Sequence, residues 1–540
     1  MNRADRLPLA HIGVAVGAFG VAACMALMQA LSRANLDLPF RSAQIYYLSV
    51  TAHGTLMALV FTTFFIMGLG YALTPRALGR PLLHEGLAWV SFWVALVGTL
   101  ATMAAIFSGK ASVLYTFYPP LKAHPAFYIG ATLLVIGSWG WGFVVLRTLR
   151  AWRRDHAGVP IPLAVHGMAT TIIVWYIATA GIAADMLLLL IPWSLGIEKT
   201  IDPELARTLF WWFGHPLVYF WLLPAYVIWY TVLPRAAGGK LFSDNLARLV
   251  FVLFIVLSSP VGLHHQAMDP GIPAGWKLFH AFNTMWILFP SFVTAFTIIA
   301  SLEVAGRMKG ATGLFNWIGK LPWSDPLVAS VLLAMLLFAF GGFGGAINAG
   351  YGMNAMIHNT AWVQGHFHLT VGSAVALTFM GTTYWLLPKL TGRELELGLL
   401  AKVQPWLWFA GMMLFSFSNH ITGLMGMPRR VFDASYLGDA FAARWKVLTG
   451  ISAVGGVLLF VSAAFFVMVV VGTWLAGRKN EQPGVEFSEP LEPAPAPVAL
   501  LDRLGLWTVV AVVLVLVAYG YPIWHLISTP HFGSPPYTPF

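Results

Sequence analysis

The chain has 540 residues, is 58% hydrophobic and carries only 10% charged residues. Soluble globular domains run at roughly 25% charged, so a water-soluble enzyme or binding module is excluded. The formal net charge of +10 does not call for nucleic acid, because basic residues collect in the cytoplasmic loops of membrane proteins.

A helical span needs ~20 apolar residues, and thirteen such runs succeed one another along the chain. They fall at about 11–32, 48–73, 86–107, 125–146, 163–192, 208–233, 249–268, 278–301, 327–349, 356–388, 403–426, 447–475 and 505–528. Only helices and closed barrels satisfy their backbone in lipid, and runs this continuous are helices rather than alternating barrel strands. The predicted fold is an all-α polytopic membrane protein. With a cytoplasmic N-terminus, the inside segments hold 20 of the 31 Lys and Arg residues, among them Arg147, Arg150, Arg153 and Arg154. That excess favours N-in. Val21-Ala22-Ala23-Cys24 resembles a bacterial lipoprotein cleavage box, but the stretch reads as the first span, and no cleavable targeting segment is expected. Cys24 is the single cysteine, which excludes an intrachain disulfide and a thiolate metal cluster.

Residues 476–501 carry Glu481, Glu486, Glu489 and Glu492 among five prolines. This composition predicts an extended cytoplasmic linker before the last span. The other loops are short and no fixed-period repeat is present, so residues 1–540 read as one transmembrane domain. Trp193, Trp211, Trp276 and Trp406 near span ends fit interfacial belts.

Six histidines sit inside these apolar runs: His53, His215, His264, His265, His366 and His368. Ionisable groups in hydrocarbon are costly and mark functional sites, and imidazole is the commonest metal ligand. Tracing the N-in topology places all six in the outer half of the bilayer. Residues two apart on a helix point about 200° apart, so His366 and His368 should serve two different centres. His264 and His265 are about 100° apart on a helix, near an end loosened by Pro260 and Gly262. They could converge on one ion with His215 as third ligand, a set that suits copper or another reactive transition metal. His53 could then pair with either His366 or His368 on a haem iron.

Tyr219, Tyr226 and Tyr230 come after His215 at +4, +11 and +15. At about 100° per residue the four fall within about 60° of one face. They step from the metal towards the cytoplasm, and Ser291, Thr294 and Thr297 lie at comparable depth on the eighth span. Such hydroxyls can carry a proton route, or can pack and bond their own helices. Arg429 and Arg430, just outside the eleventh span, could hold anionic haem propionates or serve as an interface anchor.

These residues resemble subunit 1 of the haem-copper oxidases, in the B-type branch that includes the ba-type cytochrome c oxidases. The resemblance is carried by Trp211-Trp212-Phe213-Gly214-His215-Pro216-Leu217-Val218-Tyr219, Pro260-Val261-Gly262-Leu263-His264-His265-Gln266, His358-Asn359-Thr360-Ala361-Trp362-Val363-Gln364-Gly365-His366-Phe367-His368 and Met427-Pro428-Arg429-Arg430. It covers about 45–430 strongly. It implies a bundle of about thirteen helices with two haems and one copper ion, the low-spin haem b-type and the high-spin haem a-type. His215, His264 and His265 would bind copper, His366 the high-spin haem iron, and His53 with His368 the low-spin haem iron. Tyr219 would be catalytic and joined covalently to His215. Tyr226, Tyr230, Ser291 and Thr294 would form the proton route. Arg429, Arg430, His358 and Asn359 would hold the propionates. The implied activity is four-electron reduction of O2 to water, with proton uptake from the cytoplasm and proton pumping. The implied setting is a bacterial cytoplasmic membrane, with a second subunit bearing the electron-accepting copper site, cytochrome c or a similar donor, and no nucleic acid.

Two positions depart from family patterns. Leu217 stands where A-type oxidases carry a glutamate, so their second proton pathway should be absent. Asn354 stands where B-type relatives often carry an aspartate, and an amide cannot store a proton as a carboxyl can. Two other functions compete. A nitric oxide reductase would hold iron in place of copper, but typically lacks a tyrosine at +4 and adds glutamates near the site. A transporter or haem-handling protein would not need the separate copper-like triad.

Overall fold

A computed structural model describes residues 3–36, 42–491, 498–529 and 532–539. Among these the regular elements are all helical, joined only by isolated backbone bridges. There are thirteen principal segments. In order they are α1 (Arg6–Arg33), α2 (Ala43–Leu78), α3 (Glu85–Phe107), α4 (Pro125–Asp155), α5 (Leu163–Ser194), α6 (Pro203–Thr231) and α7 (Asp244–Leu257). Then come α8 (Ala274–Met308), α9 (Pro326–Ala349), α10 (362–391), α11 (Gly398–Leu424), α12 (Lys446–Ala476) and α13 (Leu504–Ser528).

Among the described residues, nine of these helices are long and apolar enough to cross a membrane. The expected count of thirteen exceeds them by α6, α7, α10 and α11. Three of the four lead to or carry ligand histidines. Polar and aromatic side chains dilute their hydropathy, and α7 is only 14 residues long. On α3 the exposed Val90, Trp93, Val97 and Leu100 form the outward apolar stripe of a lipid-facing helix. Its other face packs tightly on α4: a Cβ on Gly98 would lie 2.4 Å from the Gly130 carbonyl oxygen. Small residues at such contacts let membrane helices approach closely.

Local chemistry sets the helix starts. The Asp202 carboxylate accepts from Glu204 N at 2.9 Å and Leu205 N at 3.1 Å, ahead of Pro203 in the first turn of α6. Ser243 and Asp325 cap α7 and α9 in the same way. Two helices change winding beside a ligand. A π segment, Leu56–Phe61, comes just after His53 in α2, and another, His368–Val375, begins on His368 in α10. Such bulges are frequent at functional sites.

Two expectations are corrected. The seventh span does not carry His264 and His265 on an α-helix. The α-helix ends at Leu257, and both lie on a 3₁₀ turn, Gly262–Gln266, beyond Pro260, which cannot continue the helical ladder. Trp193 and Trp211 are buried in the core rather than placed at an interface. The described part of the Pro- and Glu-rich segment before α13 is laid against the ends of neighbouring helices. Ser488 N donates to the Thr231 carbonyl at 2.6 Å and Leu241 N to the Glu489 carbonyl at 2.8 Å, and Arg235 pairs with Glu486. Residues 492–497, with Glu492, lie outside the described residues.

The start of α13 is anchored by buried charge. Arg248 of α7 bonds Asp244 at 2.6 Å and Asp502 at 2.7 Å. Asp502 also accepts from Ile161 N at 2.9 Å, while His166 reaches the Leu501 carbonyl at 3.0 Å. Removing one partner of a buried pair costs about 3–5 kcal/mol. Arg248→Met is therefore expected to lower the thermal denaturation midpoint of the purified complex in detergent; an unchanged midpoint would show that this cluster does not hold α13.

Candidate metal centres

Three imidazoles meet where α6 faces the 3₁₀ turn. Their ligand atoms, from His215, His264 and His265, all lie within 4.8 Å of one another. His215 Nδ1 and His265 Nε2 face each other at 3.0 Å. Each ring is held from behind. The Thr284 hydroxyl donates to the His280 carbonyl at 2.7 Å, so it accepts from the Nδ1–H of His264 at 2.8 Å. That leaves Nε2 of His264 as the free lone pair. His265 stacks on Trp211, centroids 3.6 Å apart and planes within 6°. His215 turns Nε2 to the Tyr219 hydroxyl at 2.9 Å, which aims Nδ1 at the centre.

The turn itself is pinned to two further helices. Gly262 N donates to the Tyr519 hydroxyl of α13 at 3.1 Å, and Leu263 N to His280 Nδ1 of α8 at 3.3 Å. A Cβ on Gly262 would sit 2.1 Å from the Trp211 carbonyl oxygen, so no side chain fits there.

His53 and His368 form a second group. Their rings are parallel within 3°, with centroids 6.4 Å apart. His53 Nδ1–H donates to the Ala22 carbonyl at 3.0 Å and His368 Nδ1–H to the Gln364 carbonyl at 2.8 Å. Both Nε2 atoms remain for a ligand between them. A metal–imidazole bond is about 2 Å, so two such bonds and two half-rings fill this gap. The geometry pairs His53 with His368, a choice the helical angles leave open.

His366 stands apart from that pair. Its Nδ1–H donates to the Gly341 carbonyl of α9 at 2.9 Å, freeing Nε2. Phe367, between the two histidines, stacks on Tyr115 at 6.3 Å and meets Trp221 of α6 edge-on at 6.0 Å. α6 packs on the π segment of α10, which brings the His366 helix alongside the triad.

Beyond the inner core, the backbone of 359–361 pairs with that of 427–429. Ala361 N donates to the Met427 carbonyl at 2.8 Å and Arg429 N to the Asn359 carbonyl at 3.0 Å. Asn359 and Arg430 both hold positive φ, 58° and 59°. Arg429 donates to Asn359 Oδ1 at 3.2 Å, and Arg430 lies 5.4 Å over each of the Tyr115 and Tyr118 rings. Among the described residues neither arginine has a carboxylate partner, and Arg429 Nε is buried without an acceptor. Burial and the neighbouring Arg430 bring the Arg429 guanidinium down to about 9. Two half-buried guanidiniums without a carboxylate partner fit anionic propionates. His358 donates to Asn354 Oδ1 at 3.1 Å, and Asn354 in turn donates to the Asn348 carbonyl at 2.6 Å. The amide at this departure is thus a structural bridge.

Along α6 the tyrosines meet the hydroxyls of α8. Tyr226 donates to Ser291 Oγ at 3.2 Å and Tyr230 to Thr294 Oγ1 at 2.7 Å. Thr294 also donates to its own helix at the Pro290 carbonyl, 2.9 Å away. Phe254 of α7 fills the space beside Tyr219 and Tyr226.

Sequence reasoning misses four supporting residues. Trp211, His280, Thr284 and Tyr519 all touch the copper-like turn or its ligands. The spacing of His280 and Thr284, one turn apart on α8, is the only local signal among them.

The donor sets fit the groups that the family resemblance implies: three imidazoles for copper, a facing imidazole pair and a single imidazole for two haem irons, and two arginines for propionates. The family model described as cytochrome c and quinol oxidase polypeptide I matches residues 6–458. Cytochrome c oxidase subunit 1 of Thermus thermophilus is 44% identical over 514 residues, 91% of this chain and 89% of that protein. An alternative cytochrome c oxidase subunit 1 of Bradyrhizobium diazoefficiens is 28% identical over 76% of this chain and 72% of its own length. A chain from the cryo-EM structure of a heme-copper terminal oxidase dimer superposes with a TM-score of 0.96 at 38% identity, covering 100% of this chain and 96% of that one. With most of its length matched by the family model and nine-tenths of it aligned to the Thermus subunit, the chain belongs to the cytochrome c and quinol oxidase polypeptide I family.

Proposed function

We propose that this catalytic subunit of a haem-copper terminal oxidase reduces O2 to water at a site where His366 would hold a high-spin haem and His215, His264 and His265 a copper ion. His53 and His368 would hold the low-spin haem, and two histidine ligands would leave it no site for gas. The observation that supports the reading is the division of six histidines inside the bundle, His215 and His264 buried and the other four half-buried, into a converging triad, a parallel facing pair and a single ring set apart. When bound, the iron and copper supply the redox chemistry of O2 reduction.

The chain's own residues position, neutralise and move protons. Arg429 and Arg430, with His358 and Asn359, take the propionates. Tyr219 presents its Oη 2.9 Å from His215 Nε2 and gives up its phenolic proton to the reacting oxygen. That proximity also supports the covalent joining of the two side chains that the family resemblance implies. Protons rise from the inner side past Thr294 and Tyr230, then Ser291 and Tyr226, to Tyr219. Leu217 offers no second carboxylate route.

The protein is a multi-pass membrane protein. We assign it thirteen crossings, a cytoplasmic N-terminus, a bacterial inner membrane and the B-type branch, with a low-spin b-type and a high-spin a-type haem. Uptake of protons from the cytoplasm is coupled to pumping. With one cysteine the chain cannot build a Cys-rich electron-accepting copper site, so a second subunit carries it, with cytochrome c or a similar electron carrier as donor.

The purified complex, after allowance for the second subunit's copper, should contain two haem irons per copper in this chain, with one haem binding CO on reduction. Three irons without copper would make it a nitric oxide reductase, and absence of a CO-reactive haem would sink the oxidase reading. Tyr219→Phe should lower O2 turnover by roughly 10²–10⁴-fold, the range for a positioned proton donor, with haem content unchanged; near wild-type turnover would remove Tyr219 from the chemistry. Tyr230→Phe should slow the proton-uptake phases of single turnover while CO binding stays as in the wild type. Unchanged uptake would place the route elsewhere.

A further inference from the structure

A groove of about 580 Å³ opens between α4, α5 and the first turns of α13, and none of the metal-centre residues lines it. That size lies within the ~300–1,000 Å³ typical of clefts that take small molecules. Its walls are apolar, built from Leu149, Ile161, Ile173, Ile177 and Leu504. Its deep end is closed by Tyr176, whose hydroxyl is spent on the Trp139 carbonyl at 2.7 Å. Its rim is formed by Arg150, Arg153 and Arg154, all exposed.

Three features identify what belongs there. First, the rim is unneutralised. Among the described residues none of these arginines has a carboxylate partner, and the acids beside them are committed elsewhere: Asp155 to Arg80 at 2.9 Å and Asp502 to Arg248 at 2.7 Å. Arg153 donates only to the Asp502 carbonyl, at 3.3 Å. Second, the depth matches one leaflet. From Gly142, which abuts Tyr176, to Arg154 is twelve residues of α4, about 18 Å at 1.5 Å per residue. Half of a bilayer's hydrocarbon core is about 15 Å. Third, the arginines sit at the inner ends of α4 and α13, the cytoplasmic side in the N-in topology, where basic pockets between helices take acidic lipid headgroups.

We propose that this groove is a binding site for an anionic phospholipid of the inner leaflet, its acyl chain along α4, α5 and α13 and its phosphate on Arg150, Arg153 and Arg154. A water-soluble anion would have no use for the apolar walls. A zwitterionic lipid would leave the rim without a net counter-charge. The inference stands apart from the assignment of metals and protons.

The test uses the intact oxidase complex, delipidated in detergent and titrated with phosphatidylglycerol or phosphatidylcholine, with bound lipid counted by native mass spectrometry. Wild type should bind one phosphatidylglycerol in preference to phosphatidylcholine. Each arginine near a charged surface is worth about a factor of five, so Arg150→Gln/Arg153→Gln/Arg154→Gln should weaken that binding on the order of 100-fold. Thr508→Trp, which fills the groove and keeps the rim, should also lose the lipid, and unchanged haem spectra report that both variants fold. Equal binding of the two lipids, equal binding by wild type and both variants, or an accessory polypeptide cross-linked at Thr508 in place of lipid would overturn the proposal.

Discussion

A neutral imidazole carries one N–H and one lone pair, and inside a lipid-embedded bundle neither can be left idle. His53, His366 and His368 each give Nδ1–H to a backbone carbonyl, on α1, α9 and α10 respectively. His264 gives its own to Thr284. In every case the protein takes one nitrogen and fixes the ring, so the other is presented to the interior. This second contact sets tautomer and orientation in metal sites. It also ties the ligands to neighbouring helices, so the bundle packing and the donor geometry are one problem.

The ligand helices solve that problem by giving up regularity. α2 and α10 change to π winding beside His53 and at His368, and α7 stops so that a 3₁₀ turn can bring His264 and His265 under α6. Irregular backbone at membrane depth survives only where protein satisfies it. Here Tyr519 and His280 accept the freed N–H groups of Gly262 and Leu263. The cost of departing from a helix is offset by side chains drawn from α8 and α13.

How much can be read from the sequence depends on the reach of each signal. The six histidines and the α6 tyrosines are visible because residue type and helical period are local, and an imidazole in an apolar run is conspicuous. Matched depth makes the meeting of Tyr226 with Ser291 and of Tyr230 with Thr294 foreseeable. Helical angles alone leave open whether His368 or His366 partners His53, since two residues on opposite faces of one helix look alike until the neighbouring helices are placed; the family resemblance is what singles out His368. By position Trp211 reads as an interfacial anchor, yet it is the stacking partner of His265. The 3₁₀ turn escapes because Pro260 and Gly262 signal that the helix breaks but not the conformation the chain adopts after the break. Tyr519 lies 257 residues from the turn it holds, beyond the stretch of strong resemblance, and no periodicity points to it.

That last contact has a consequence for biosynthesis. The chain is made from its N-terminus, so α13 leaves the ribosome after α1 to α12. Until it inserts, the backbone N–H of Gly262 lacks its Tyr519 acceptor and His280 lacks the Ala518 carbonyl, so the turn bearing two of the three triad histidines is incompletely held. The segment before α13 lies along the ends of α6 and α10 and the loop before α11 through Ser488, Gly484 and Arg478, which keeps the late helix near its berth. Formation of the triad is thus coupled to completion of membrane insertion, and a nascent chain ending before α13 would present its histidines without the scaffold that aims them.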